Sequence, residues 1–119
     1  MDAREQVTVW YNPRCSKCRA LRALLEERGV EAVYRDYLAE PPTGAEVARL
    51  LAALGLDDPL PILRSGEPAF AELGLAEAGR EARAGALTSH PALLQRPILE
   101  RGGRAVVARP PERGLDLLD

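Results

Sequence analysis

Two cysteines, Cys15 and Cys18, lie at the point where a short strand-like segment gives way to a helical pattern. The run 7–11 is β-branched and aromatic and is followed by Asn-Pro, and leucines recur at helical spacing up to Gly29. A cysteine at a helix N-terminus is stabilised as its thiolate by free backbone N–H groups and the helix dipole. Cys15 is therefore the predicted nucleophile, and Cys18, one helical turn on, is the predicted resolving thiol.

The CxxC pair admits other interpretations. A zinc site needs more ligands, but the chain has one histidine and no second cysteine pair, so no metal is expected. The alternative is that both cysteines are partly buried apolar residues with no catalytic role. The position at a strand-to-helix junction inside a βαβ pattern favours redox chemistry.

Local positive charge surrounds the pair. Arg14, Lys17 and Arg19 favour a thiolate at Cys15 and could attract an anionic substrate. Lys17 is the only lysine, and arginine is so abundant that any one arginine is by itself expected to be a solvated surface residue.

Composition limits the classes of protein that fit. The chain has 119 residues, 46% of them hydrophobic, and a formal charge of −2, which predicts a single domain over 1–119 and disfavours binding to nucleic acid or to an acidic membrane surface. Residues 1–6 run directly into the first strand without an apolar segment. We expect a cytoplasmic monomer that makes no membrane contact.

The elements that must position the cysteines follow from periodicity and turn residues. A second strand is predicted over 32–37, a capped helix from Thr43, and a helical insertion between Pro42 and Ser89 with short helices near 67–73 and 76–87. A β-hairpin is predicted from segments 96–100 and 104–107, followed by a last short helix. This order predicts an α/β, thioredoxin-like fold with a four-stranded mixed sheet.

Short motifs along the chain carry a resemblance to a known family. NPRCSKCR at 12–19 resembles the nucleophile loop of the arsenate reductase (ArsC) family that is coupled to glutathione and glutaredoxin. Further matches occur in the same order across 7–118, namely EPPT at 40–43, ILR at 62–64, ELGL at 72–75, HP at 90–91, RPI at 96–98 and RPPE at 109–112.

The resemblance implies a reaction and a set of residues. Cys15 would attack the arsenic of arsenate or a similar oxyanion, while Arg64, Arg96 and Arg109 would converge on Cys15 and hold the oxyanion. No cofactor would be bound, and glutathione with glutaredoxin, or thioredoxin, would donate electrons. The thioredoxin fold further implies a cis bond between Arg96 and Pro97.

Two departures keep other functions open. Tyr11 stands where the typical arsenate reductase resembled here has a histidine, and Cys18 stands where it has another residue. The CxxC pair is also similar to that of Spx-family regulators, which sense redox state and bind RNA polymerase. A general glutathione-dependent thiol reductase is the third possibility.

Overall fold

A computed structural model describes residues 6–118. Four strands form one mixed sheet in the order β2-β1-β3-β4. The strands are β1 (Val7–Tyr11), β2 (Ala32–Asp36), β3 (Ile98–Arg101) and β4 (Arg104–Val107). The pair β1 and β2 is parallel, whereas β3 is antiparallel to both β1 and β4. The predicted α/β, thioredoxin-like fold with a four-stranded mixed sheet is confirmed.

The crossover between the two parallel strands is helix α1 (Ser16–Glu27). The helix ends because Gly29 adopts a left-handed φ of 70°, which a glycine reaches without steric cost. The N–H groups of Gly29 and Val30 then donate to the carbonyls of Glu26 and Leu25, which completes the helix C-terminus. The chain thus returns to the sheet in register with β1.

The hairpin of β3 and β4 turns through Gly102 and Gly103, which have φ values of 57° and 78°. Two consecutive residues with positive φ define the turn that matches the twist of a two-residue hairpin. The sequence predicted the first hairpin strand from Arg96, but β3 begins at Ile98. Proline lacks an N–H group, so Pro97 cannot donate to a strand ladder.

The predicted insertion is helical, as expected. It contains α2 (Gly44–Leu54), α3 (Pro68–Glu72) and α4 (Arg80–Ser89), with 3₁₀ turns at Leu60–Ile62 and Pro91–Leu93. Thr43 and Glu46 form the predicted capping box, each side chain accepting a hydrogen bond from the backbone N–H of the other residue. Helix α4 begins four residues later than the sequence indicated.

The described chain divides into two compact units. The sheet unit comprises the residues up to Tyr37 and those from Arg96 onward, and the helical unit comprises Leu38–Gln95. That residues 1–119 form a single domain stays a prediction. None of the helices that the structure describes is long and apolar enough to cross a bilayer.

The core of the sheet unit packs α1 and the C-terminal 3₁₀ helix (Pro111–Leu117) together with the sheet. A Cβ atom at Gly114 would lie 3.0 Å from Cδ1 of Leu21 and 3.3 Å from Cδ1 of Leu99, so these side chains would have to shift slightly to admit any larger residue. Both cysteines belong to this core, whose buried members are Val7, Val9, Tyr11, Cys15, Cys18, Leu21, Leu25, Leu99, Ala108 and Leu117.

Candidate active site

Asn12 shapes the loop between β1 and α1. Its side-chain Oδ1 accepts a hydrogen bond of 2.9 Å from the N–H of Arg14, and its carbonyl accepts one of 2.9 Å from the N–H of Cys15. An asparagine side chain that bonds two residues on is a typical turn former. The turn delivers Cys15 to the N-cap position of α1 in an extended conformation.

Cys15 is buried, with 7% of the residue exposed. Burial acts to raise the pKa of the Cys15 thiol, but the backbone N–H of Cys18, the guanidinium of Arg96 and the thiol of Cys18 together lower it below its ordinary value. The N–H of Cys18 belongs to the third helical residue, one of the donors left free at a helix N-terminus. The thiolate is therefore favoured at Cys15.

Cys18 lies three residues further along and is fully buried. Burial is the main cause that raises the pKa of the Cys18 thiol to about 12, and the sulfur of Cys15 acts in the same direction. The backbone of Asn12 and the charge of Arg96 oppose this rise. Both cysteines are free thiols whose side chains interact directly, so one sulfur is poised as a thiolate and the other is held as a thiol.

Two of the three predicted arginines lie in the sheet unit. Arg96 interacts with the side chain of Cys15 and precedes Pro97 through a cis bond, so the predicted cis bond is confirmed. Arg109 donates a hydrogen bond of 3.0 Å from its guanidinium to the carbonyl of Arg96, and it too precedes a cis proline, Pro110. The Arg109 guanidinium is thus bonded to the backbone of the residue whose own guanidinium interacts with Cys15.

Arg64 belongs to the helical unit. Its guanidinium forms an ion pair with Glu67 and donates to the carbonyl of Ala92 at 3.3 Å, and its N–H donates to the carbonyl of Leu93 at 2.8 Å. These contacts fix Arg64 within its own unit. That Arg64 holds the same anion as Arg96 and Arg109 stays a prediction.

Tyr11, at the end of β1, has aromatic and cationic neighbours. Its ring packs edge-on against Tyr34 with 5.4 Å between centroids, and the guanidinium of Arg22 lies 4.5 Å from the Tyr34 centroid and 5.8 Å from that of Tyr11. Arg22 is also paired with Glu26 on the exposed side of α1. The groups that lower the pKa of Cys15 are the N–H and the thiol of Cys18 and the guanidinium of Arg96, and Tyr11 is not among them.

Tyr37 is a site residue that the sequence did not indicate. It is 1% exposed, and burial, followed by the charge of Cys18, raises the pKa of its hydroxyl. Its hydroxyl also interacts with the side chain of Asn12 and with the charge of Arg96. The signal in the sequence was weak, because a tyrosine at the end of a strand is most often a core residue.

Within residues 6–118, no three or more histidine, cysteine, aspartate or glutamate side chains are grouped so that they could hold a metal ion. The groups described at the site are two thiols and the guanidinium of Arg96.

Comparisons with known proteins agree on one family. The model of the ArsC family matches residues 10–117. An arsenate reductase from Neisseria meningitidis is 40% identical over 109 residues, covering 90% of this chain and 93% of the relative, and one from Haemophilus influenzae is 32% identical over 114 residues, covering 94% and 98%. The solved structure of an arsenate reductase from Vibrio cholerae superposes with a TM-score of 0.89 at 36% identity, covering 94% and 97%.

Proposed function

Because this chain belongs to the ArsC family, we propose that it is a thiol-dependent oxidoreductase that reduces arsenate to arsenite, with Cys15 as the nucleophile. The observation that carries the proposal is the opposite acidity of two adjacent thiols, Cys15 with a lowered pKa and Cys18 with a raised one. Relatives that share about 40% of the sequence are named arsenate reductases.

In the first step the Cys15 thiolate attacks arsenic. A sulfur–arsenic bond forms, and one arsenate oxygen leaves as hydroxide and takes up a proton to become water. Arsenic is still As(V) at this stage, and no electrons have been transferred. The lowered pKa of Cys15 raises the fraction of the nucleophile that is present as thiolate at neutral pH.

The arginines supply what a thiolate lacks when it approaches an anion. Arg96 interacts with the Cys15 sulfur, and the guanidinium of Arg109 is bonded to the Arg96 carbonyl. Guanidinium groups pair with tetrahedral oxyanions through parallel hydrogen bonds and neutralise the repulsion between two negative charges. Arg96 and Arg109 are proposed to bind the substrate oxygens, together with Arg64 as the family pattern predicts.

In the second step Cys18 attacks the sulfur of Cys15. A disulfide forms, the sulfur–arsenic bond breaks, and its electron pair remains on arsenic, which leaves as As(III) in arsenite. Cys18 must lose its proton for this attack. The sulfur of Cys15 is one cause of the high pKa of Cys18, and once Cys15 is bonded to arsenic its negative charge is gone. The resolving thiol is therefore easier to deprotonate after the first step than before it.

External thiols complete the cycle. Glutathione with glutaredoxin, or thioredoxin, is proposed to reduce the Cys15–Cys18 disulfide, and glutathione can also replace Cys18 as the attacking thiol. Cys15 is 7% exposed as a residue and Cys18 is fully buried, so we expect an external thiol to meet Cys15 first. This assigns the exchange with the electron donor to the same sulfur that attacks the substrate.

The test is arsenate-dependent oxidation of NADPH, measured with the glutathione and glutaredoxin system, with the thioredoxin system and without added reductant. Cys15→Ser should abolish turnover in every system. Cys18→Ser should keep turnover with glutathione and lose most of it with thioredoxin, because only glutathione can replace the missing thiol.

Arg64→Ala and Arg109→Ala test the predicted anion ligands, and each should raise KM for arsenate more than it lowers kcat. An exposed arginine, Arg80→Ala, is the matched control and should leave both constants unchanged. The proposal is wrong if the folded wild-type protein oxidises no NADPH with arsenate in any of the reductant systems.

A further inference from the structure

The turn between β1 and α1 is held by one residue, Asn12, the only asparagine in the sequence. Its Oδ1 accepts a hydrogen bond of 2.9 Å from the N–H of Arg14, and its carbonyl accepts one of 2.9 Å from the N–H of Cys15. Pro13 fixes φ at the second position of this turn. Among the described residues only glycines have positive φ, so the turn is not of type II, which requires positive φ at Arg14. Both N–H groups between Pro13 and α1 are thus bonded to Asn12.

These bonds fix the backbone of the nucleophile from one side. The Cys15 N–H donates to Asn12, while the Cys15 carbonyl accepts a hydrogen bond of 3.0 Å from the N–H of Arg19 inside α1. Cys15 is the N-cap residue of the helix, with φ of −89° and ψ of 121°. A side chain at the N-cap faces the N–H groups of the first helical turn. The helix therefore supplies one constraint on Cys15, and Asn12 supplies the other.

A second turn of the same kind shows the difference between asparagine and aspartate at such a position. In the helical unit, Oδ1 of Asp58 accepts a hydrogen bond of 2.9 Å from the N–H of Leu60, again two residues on. Oδ2 of Asp58 accepts one of 2.7 Å from the buried guanidinium of Arg83, so its negative charge has a cationic partner. Asparagine and aspartate both form these turns, and they differ in charge. The charged residue is thus found where a guanidinium pairs with it, and the neutral one where the turn leads to a thiolate.

We propose that Asn12 is a positioning residue for the Cys15 nucleophile, and that this position requires a neutral side-chain acceptor. The inference rests on the proposed role of Cys15 as the attacking thiolate. A carboxylate at position 12 would keep the turn but would repel the negative charge of the thiolate. A side chain without an acceptor would release the Arg14 N–H and let the turn relax. The sulfur would then be less well aligned with the groups that stabilise its charge, the N–H of Cys18 and the guanidinium of Arg96.

Alkylation of Cys15 by iodoacetamide across a pH series tests both parts of the proposal. The thiolate sulfur displaces iodide from the uncharged reagent, so the midpoint of the profile reports the thiolate fraction, and peptide mass spectrometry separates Cys15 from Cys18. Asn12→Ala and Asn12→Asp should each raise the midpoint. Asn12→Ser, a neutral acceptor that forms the same kind of turn, should leave it close to that of the wild-type protein. The charged and titratable groups that act on Cys15 are Arg96 and Cys18, and the three substitutions leave both in place.

Salt and amide exchange separate the effect of charge from that of position. The rise in Asn12→Asp should shrink in 1 M NaCl, where the Debye length is about 3 Å, whereas the rise in Asn12→Ala should persist. Exchange of the Arg14 amide hydrogen should be about fivefold faster in Asn12→Ala, the effect of one lost hydrogen bond, and unchanged in Asn12→Asp.

The reciprocal substitution in the helical unit, Asp58→Asn, is the matched control. It keeps the turn at Leu60 and removes the charge that pairs with Arg83, so it should lower the stability of the fold and leave the Cys15 midpoint unchanged. An unmoved midpoint in Asn12→Ala or Asn12→Asp, a midpoint in Asn12→Ser as high as that in Asn12→Ala, or a shift in Asp58→Asn would overturn the proposal. Because no arsenate is used, these outcomes are independent of whether the protein reduces arsenate.

Discussion

Arg83 and Arg64 in the helical unit have different partners from Arg96 in the sheet unit. In the helical unit, Arg83 is buried and donates to Asp58 and to the carbonyls of Leu75 and Ala76, and Arg64 is paired with Glu67. In the sheet unit, Arg96 interacts with a cysteine sulfur. The three oxygen partners of the buried Arg83 guanidinium stabilise the fold, whereas the Arg96 guanidinium beside a thiol changes that thiol's acidity. The partners of each arginine thus indicate whether it stabilises the fold or changes the acidity of a thiol.

The largest expected effect is on stability, from Arg83→Met. The Arg83 guanidinium donates three hydrogen bonds of 2.7 to 2.9 Å, two to the carbonyls of Leu75 and Ala76 before α4 and one to Asp58. The side chain of Asp58 is 40% exposed, so water compensates part of the loss. We expect the free energy of unfolding to fall by about 2–3 kcal/mol in denaturant titrations. Arg80→Met, an exposed neighbour on α4, should change it by less than about 0.5 kcal/mol. Equal losses of unfolding free energy in Arg83→Met and Arg80→Met would show that the contacts of Arg83 do not stabilise the fold.

The next effect is on reactivity, from Arg96→Met. Without the guanidinium, burial is opposed only by the first turn of α1, and the pKa of Cys15 should rise toward or above its ordinary value. Alkylation of Cys15 by iodoacetamide at neutral pH should therefore slow, because a smaller fraction of the thiol is ionised. Arg96→Lys keeps the charge, and its alkylation rate should lie between those of the wild-type protein and Arg96→Met. An unchanged rate in Arg96→Met would show that Arg96 does not activate the thiol.

The smallest effect is expected at the cap of α2. Thr43→Ala removes one side-chain acceptor of the capping box and should cost about 1 kcal/mol of unfolding free energy. Thr88→Ala removes a hydroxyl from an exposed position inside α4, where alanine is a better helix former, and should be neutral or slightly stabilising. Neither substitution should alter the alkylation rate of Cys15. A slower rate in Thr43→Ala would mean that the helical unit influences the thiol.

Local chemistry made much of this fold predictable. The strand, turn and helix around Cys15, the capping box at Thr43 and the glycine hairpin each depend on residues within a few positions of one another. The cis bond at Arg96 followed from the fold that the order of elements indicated.

Contacts between distant segments could not be predicted in the same way. Arg83 was one arginine among many until the fold brought Asp58 and two carbonyls to it. Tyr37 was the end of a predicted strand, and its link to Asn12 depends on how β2 lies beside the nucleophile loop. The late start of α4 belongs to the same class, because the carbonyls of Leu75 and Ala76 bond to Arg83 rather than within a helix.

The central claim is that Cys15 is the thiolate and Cys18 the protonated partner. Its most direct test is competitive alkylation of the reduced protein with iodoacetamide across a pH series, with each cysteine quantified by peptide mass spectrometry. Cys15 should react first at neutral pH, with a midpoint below the ordinary thiol pKa, because its folded-state pKa is lowered, and Cys18 should react only slowly up to strongly alkaline pH. Faster labelling of Cys18, or one shared midpoint at the ordinary value, would contradict the account.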